Sequence, residues 1–112
     1  DPFPYNGGTT TVEALYMGVP VLTVVGASYV SHMGESILRS AGLDEWVTPD
    51  TTAYVAKAID IASRAPDLIK IRRNLRQHIL ASPLFDGRSF ARNLEDAFRG
   101  MWHAWCETQA ER

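Results

Sequence analysis

The sequence has few of the residues that would crosslink a protein, anchor it in a membrane or give it a strong charge. Cys106 is its single cysteine, which excludes an intrachain disulfide and a cysteine-rich metal site. No apolar run approaches the ~20 residues of a membrane span, and no charged and then apolar leader opens the chain. The net charge of −2 offers no excess of positive charge for nucleic acid. We therefore expect a cytoplasmic protein whose partners include neither membrane nor nucleic acid.

The chain also lacks an initiator methionine and begins at Asp1-Pro2. Its 112 residues suffice for one small domain. The non-methionine start leads us to expect a segment of a longer chain, hence a single partial domain over residues 1–112.

Apolar residues change their period along the first 48 residues. Val12, Leu15 and Tyr16 follow helical spacing, whereas residues 19–25 form an apolar, β-branched run without polar alternation, which is typical of a strand buried on both faces. Gly18 and Gly42 stand where helices usually end. These patterns predict, in chain order, a helix over 9–17, a strand over 19–25, a helix over 31–40 and a short strand over 45–47.

From residue 49 onward the pattern is helical. Asp50 predicts a helix start, Pro66 a break between two helices, and Ser82-Pro83 a second break. The apolar stripes of these helices are Val55, Ala58, Ile59 and Ala62, then Leu68, Ile71, Leu75 and Ile79, and, from Ser89 onward, Phe90, Leu94, Phe98, Met101, Trp102 and Trp105. We expect the last stripe to be core and not a ligand site, with part of it left bare because the first region is too thin to cover it alone. The fold class is thus α/β, with few parallel strands in residues 1–48 and a helical part over 49–112.

The opening stretch DPFPYNGG precedes the first predicted helix. A buried parallel strand needs parallel neighbours, so we interpret this stretch as the loop after an upstream strand, and ligands bind at such loops in α/β sheets. The first turn of a helix has free N–H groups and partial positive charge, which suit phosphate. Gly7 and Gly8 would let a ligand approach the backbone and would permit positive φ, and the hydroxyls of residues 9–11 can cap the helix or bind phosphate oxygens.

Glu13 lies one helical turn after Thr9 and Thr10, on the same face. A carboxylate there can accept both protons of a ribose diol, so the pattern indicates a phosphate site followed by a sugar site. The alternative is a plain helix start in which Glu13 interacts with the helix dipole, as in a non-catalytic helical interaction module.

The stretches FPYNGGTTTVEALYMGVPVLTVVG and SPLFDGRSFARNLEDAFRGMW resemble a family of protein O-glycosyltransferases, the O-linked N-acetylglucosamine transferases and the plant SPINDLY-type proteins. The first is similar to the family's donor-binding motif and the second to the segment that closes its catalytic region. The resemblance implies the distal part of the second Rossmann-like lobe of a GT-B fold. It also implies transfer of N-acetylglucosamine from UDP-GlcNAc to Ser or Thr of proteins, with no cofactor required.

The resemblance carries over to individual positions. Thr9 and Thr10 match a pair that holds the donor diphosphate, and Glu13 matches an acidic position that binds the ribose. Gly8 stands where the animal enzymes have His, whereas FPY and the segment EALYMGVP are closer to plant sequences that use GDP-fucose, so the donor is UDP-GlcNAc or GDP-fucose. The expected donor-binding residues are Asn6, Gly7, Gly8, Thr9, Thr10 and Glu13.

The resemblance places no catalytic residue and no metal ligand in this chain. The sequence has no Asp-x-Asp motif, which agrees with metal-independent transfer. Acceptor deprotonation would come from the first catalytic lobe of the same chain, a partner of this segment together with the donor and the protein acceptor. We therefore expect these 112 residues to be inactive alone.

The second predicted helix contains His32, Glu35 and Ser36 close together. We interpret His32 as a surface residue, and the alternative is a place near the donor sugar.

Overall fold

The structure, a computed structural model, describes residues 1–110. It is mostly helical and contains a two-stranded parallel sheet. The helices and strands are α1 (Thr9–Tyr16), β1 (Thr23–Val24), α2 (Met33–Ser40), β2 (Val47–Thr48), α3 (Thr51–Ser63), α4 (Ala65–Leu80) and α5 (Gly87–Ala110), with 3₁₀ turns at Tyr29–Ser31, Asp44–Trp46 and Pro83–Phe85.

The helices end and begin where the sequence predicts. Gly18 and Gly42 adopt φ of +71° and +70°, the left-handed conformation that glycine adopts at low cost after a helix. Asp50 precedes α3 and its Oδ1 accepts a hydrogen bond of 2.7 Å from the Ala53 amide. Pro66 lies in the first turn of α4, where its missing N–H costs nothing.

The strands are much shorter than predicted. Residues 19–25 contain only the two-residue β1, paired in parallel with β2 so that Thr23 lies opposite Val47 and Val24 opposite Thr48. A strand is defined by a hydrogen-bonded neighbour, and β2 provides one for two residues only, because residues 44–46 form a 3₁₀ turn instead of extending the predicted strand over 45–47. The parallel pairing itself is confirmed.

One hydrophobic cluster joins both parts of the chain. Its fully buried centre is Leu15 of α1, Leu38 of α2 and Ile79 of α4. The remaining buried members are Ala41, Leu43, Trp46 and Leu75. Because the cluster contains residues from before and after position 49, the first helices and α4 pack as one unit, which fixes the position of α1 relative to α2.

Two predicted apolar stripes face outward. On α3, Val55 and Ile59 are exposed, whereas Tyr54 and Ile61 are partly buried. The whole predicted stripe of α5 is also exposed, with values between 42% and 66% for its six large side chains. The expectation that the stripe is core with only part of it bare is wrong for residues 1–110, because α5 contacts mainly the turn at Pro83–Phe85 and extends away from the cluster.

Candidate functional site

Asn6 anchors the loop before α1 to the region around α2. Its side chain is 0% exposed. The Asn6 amide donates to the Val30 carbonyl at 3.2 Å, its Nδ2 donates to the Pro2 carbonyl at 3.2 Å, and its Oδ1 accepts from the Gly34 amide at 3.4 Å. Both polar groups of the side chain are thus used within the protein, so Asn6 can influence a ligand through the position of the loop.

The carboxylate of Asp1 makes a second connection, which sequence reasoning missed. Its Oδ1 accepts a hydrogen bond of 2.8 Å from the Gly7 amide, and its Oδ2 accepts one of 2.8 Å from the Thr23 hydroxyl. An Asp before Pro favours the start of a turn in which the carboxylate binds nearby amides, and that local signal was available in the sequence. Asp1 therefore ties the loop to β1, as Asn6 ties it to α2.

The prediction that the two glycines of the loop permit positive φ is wrong. Neither has positive φ. A Cβ on Gly7 would lie 2.6 Å from the Thr11 hydroxyl and 2.7 Å from the Thr10 hydroxyl, and one on Gly8 would lie 2.9 Å from Cε of Met33. Gly7 is also buried. The protein's own side chains therefore require a glycine at position 7.

The first turn of α1 has unpaired amides. Gly8 precedes the helix, and its carbonyl accepts from the Thr11 and Val12 amides at 3.1 and 3.2 Å. No side chain caps this end, so the expected capping by a threonine hydroxyl is not observed. The amides of Gly8, Thr9 and Thr10 donate to no group within residues 1–110. Partial positive charge therefore remains at a solvent-accessible helix end.

The side chains at this end suit an anion. Thr9 and Thr10 are exposed, whereas Thr11 is buried. The first turn of α1 contains no acidic residue, and Glu13, one turn further on, is exposed and forms no salt bridge with the described residues. Four of the predicted site residues therefore lie along one accessible end and side of α1, namely Gly8, Thr9, Thr10 and Glu13. The other two, Asn6 and Gly7, are buried beneath them.

Next to this loop, a chain of side-chain contacts along α2 joins His32, Glu35 and Arg39. Nδ1 of His32 lies 2.7 Å from one carboxylate oxygen of Glu35, and the other oxygen accepts from Arg39 at 2.9 Å. The hydrogen bond from the Asn6 backbone amide to the Val30 carbonyl places the start of α2 beside the start of α1. His32 and Glu35 are directly paired, and Ser36 is not part of this pair.

Residues 1–110 contain no group of three or more His, Cys, Asp or Glu side chains that could hold a metal ion. Within the same residues, no helix combines the length and the apolar character that crossing a membrane requires.

Comparisons with known proteins agree on one family. The model of glycosyl transferase family 41 matches residues 2–94. A Hordeum vulgare protein named as a probable UDP-N-acetylglucosamine–peptide N-acetylglucosaminyltransferase SPINDLY is 45% identical over 107 residues, which is 96% of this chain and 11% of its own length. A Caenorhabditis elegans UDP-N-acetylglucosamine–peptide N-acetylglucosaminyltransferase is 30% identical over 97 residues, which is 87% of this chain and 8% of its own length.

A solved structure supports the same assignment. A mutant of the Thermobaculum terrenum O-GlcNAc transferase superposes with a TM-score of 0.85 at 40% identity, over 96% of this chain and 21% of that chain. The chain therefore spans about a fifth of that structure's chain and about a tenth of the Hordeum vulgare relative.

Proposed function

The chain belongs to glycosyl transferase family 41, and on that premise we propose that it forms the donor-binding part of an enzyme that transfers N-acetylglucosamine from UDP-GlcNAc to Ser or Thr of proteins. In this proposal the chain is the distal part of the second lobe of a GT-B fold. The relatives described above are named for UDP-N-acetylglucosamine as donor, and neither is named for GDP-fucose.

One observation carries the proposal, namely the three unpaired amides of Gly8, Thr9 and Thr10 at the start of α1. A diphosphate placed there would accept hydrogen bonds from these amides and from the exposed hydroxyls of Thr9 and Thr10. Asn6 and Gly7 take part by holding the loop in place, because both are buried. Glu13 is the group that accepts the ribose hydroxyls.

The chemistry that this end of α1 can supply is stabilisation of the leaving group. As the bond from the sugar to the diphosphate breaks, negative charge grows on the diphosphate oxygens. Fixed amides that point at those oxygens lower the barrier, because they need no reorganisation during the reaction. Acceptor deprotonation lies with the first lobe, so residues 1–112 alone are expected to bind donor and not to transfer sugar.

Titration of the isotope-labelled chain with UDP and, separately, with GDP tests the proposal. UDP is expected to shift the amide signals of residues 7–13. Replacement of Glu13 by Ala removes charge-assisted hydrogen bonds worth roughly 1.5–3 kcal/mol, so UDP affinity should fall by about tenfold to a hundredfold. The control is Glu95→Ala, which removes an exposed carboxylate on α5.

The results separate the candidate functions. Stronger shifts with GDP than with UDP would show that the donor contains guanosine and is not UDP-GlcNAc. An absence of shifts with either nucleotide at millimolar concentration would contradict donor binding and favour a helical interaction module. Equal loss of affinity in Glu13→Ala and Glu95→Ala would remove Glu13 from the site.

A further inference from the structure

A cavity of about 320 Å³ lies between α3, α4 and the segment that leads into β1. Its walls are mostly apolar, and its main lining residues are Leu22, Trp46, Tyr54, Ile61, Leu68 and Arg72. The volume lies within the range of about 300–1,000 Å³ that is usual for small-molecule sites. The cavity is therefore large enough for a small organic ligand.

The inner wall of this cavity is the hydrophobic core itself. Trp46 is buried and belongs to the core cluster. Leu22, Ile61 and Leu68 pack against that cluster and also line the cavity. Because the core holds these side chains in place from behind, the apolar surface that a ligand would meet is already formed.

Arg72 provides a positive charge at the rim of the cavity. Among the described residues that line the cavity, Arg72 alone is charged, and it is solvent-exposed. Its Nε donates to the Gly18 carbonyl at 3.4 Å, and its guanidinium forms no salt bridge within residues 1–110. Gly18 also packs closely on α4, because a Cβ at this position would lie 2.9 Å from the Arg72 carbonyl oxygen. The guanidinium is thus positioned by the protein while its charge stays unpaired.

The cavity and the proposed diphosphate contacts lie at opposite ends of α1. Gly8 precedes this helix, and Val19, which lines the cavity, follows it. The eight residues of α1 span about 12 Å at about 1.5 Å per residue. No residue of the cavity belongs to the proposed nucleotide contacts, so the cavity would be a second, separate site.

We propose that this cavity binds a small amphipathic carboxylate, a molecule with an apolar body and one carboxylate group. The apolar body lies against Leu22, Ile61 and Leu68, where it is removed from water. The carboxylate accepts hydrogen bonds from the Arg72 guanidinium, whose planar arrangement of N–H groups matches a carboxylate. A phosphate monoester would bring a charge of about −2 to one cation and leave the excess charge against apolar walls, so the site favours a singly charged ligand.

The test compares octanoate with 1-octanol, two ligands of the same chain length that differ in charge. Both are titrated into the isotope-labelled full chain, and both should shift the amide signals of Leu22, Ala58 and Ile61 in a saturable way. Octanoate should bind about three- to tenfold more tightly, the effect expected of a charge-assisted contact to a solvent-exposed guanidinium.

Two results with the wild-type chain would overturn the proposal. One is an octanoate affinity no higher than that of 1-octanol. The other is an absence of saturable shifts at these three residues, including the case in which only the exposed apolar stripe of α5 responds.

A pair of arginine variants tests the role of the charge. Arg72→Leu should remove the preference, so that octanoate and 1-octanol bind equally well. The matched control is Arg73→Leu, which changes the next residue of α4, a residue that does not line the cavity, and should keep the wild-type preference. An equal loss of preference in both variants would show a general effect of charge and overturn the contact to Arg72. If Arg72→Leu does not fold, the comparison of the two ligands with the wild type decides the proposal.

A titration of octanoate in the presence of millimolar UDP separates this site from the proposed function. The dissociation constant of octanoate should stay the same, because the two sites lie at opposite ends of α1. Failure of UDP to bind would contradict the proposed function and leave the carboxylate site standing. Displacement of octanoate by UDP would place octanoate at the start of α1 and overturn the second site.

Discussion

Replacement of Asn6 by Ala tests whether the loop before α1 is held by a buried amide side chain. The substitution removes the hydrogen bond from Nδ2 to the Pro2 carbonyl and the one from the Gly34 amide to Oδ1. It keeps the backbone bond from Asn6 to Val30. The loop would then be tied to the region around α2 by one hydrogen bond in place of two, and it would also lose its internal bond to Pro2.

The expected loss of stability depends on whether the Pro2 carbonyl and the Gly34 amide can bind water after the substitution. Pro2 is exposed, so its carbonyl can bind water and the lost bond costs about 0.5–1.5 kcal/mol. Gly34 is buried, and an unsatisfied buried amide costs about 1–3 kcal/mol; the 3.4 Å length of the lost bond places this term near the lower end. We therefore expect Asn6→Ala to lower the free energy of unfolding by about 1.5–2.5 kcal/mol.

Urea unfolding followed by circular dichroism measures this loss. With an m-value of roughly 1–3 kcal/mol/M, the midpoint should fall by about 0.5–2.5 M. The matched control is Asn74→Ala, which removes one exposed hydrogen bond, from Nδ2 to the Lys70 carbonyl within α4. Its effect should stay within about 0.5 kcal/mol, because the partner stays exposed to water and Ala favours a helix.

UDP affinity should fall together with stability in Asn6→Ala, because the loop that presents the α1 amides would lose its anchor. Equal stability of Asn6→Ala and Asn74→Ala would refute the anchoring role. A loss of UDP affinity without a loss of stability would show instead that Asn6 contacts the nucleotide, as the sequence pattern predicts.

Two further predictions concern the chain away from the site. Gly18→Ala should destabilise the protein by about 1–3 kcal/mol, because φ is +71° and the new Cβ would lie 2.9 Å from the Arg72 carbonyl oxygen. Gly100→Ala, with open space around it in α5, should stabilise by about 0.5–1 kcal/mol. A stabilised Gly18→Ala or a destabilised Gly100→Ala in thermal unfolding would contradict this. The side-chain and backbone hydrogen bonds from Ser89 lower the pKa of Asp86. The carboxylate therefore stabilises the start of α5 above the ordinary pKa of about 3.9, and this stabilisation is lost as the pH falls through the lower pKa of the folded state. In an acid titration, the helicity of the wild type should therefore fall at a pH below the range in which unperturbed carboxyl groups titrate. Asp86→Asn should remove that step. An identical titration of the variant would refute the assignment.

Local signals in the sequence were sufficient for the helix boundaries. Gly18, Gly42, Asp50 and Pro66 each act within one turn of the chain, through φ preference, side-chain capping or a missing N–H, and all four predictions are confirmed. The parallel arrangement of the strands was also predictable, because a run without polar alternation indicates burial on both faces. The extent of β1 was not, because it depends on how many residues of β2 are available to pair with it.

Periodicity predicted which face of α3 and which face of α5 is apolar. It could not predict what those faces contact. The stripe from Phe90 to Trp105 has the spacing of a core helix, and in residues 1–110 it is exposed. A hydrophobic pattern specifies a face, whereas burial requires a second surface against that face. The same limit applies to Val55 and Ile59.

The sequence by itself determined the helices, the family motif and the types of side chain at the start of α1, because these depend on neighbours in the chain. Only the tertiary structure decided that Asn6 and Gly7 lie beneath the amides of Gly8, Thr9 and Thr10, and that the start of α2 lies beside them. Those relations depend on contacts between Asn6 and Gly34, 28 residues apart, and between Asp1 and Thr23, 22 residues apart. Contacts of that range arise when the helices pack on their common core, and no local pattern encodes them.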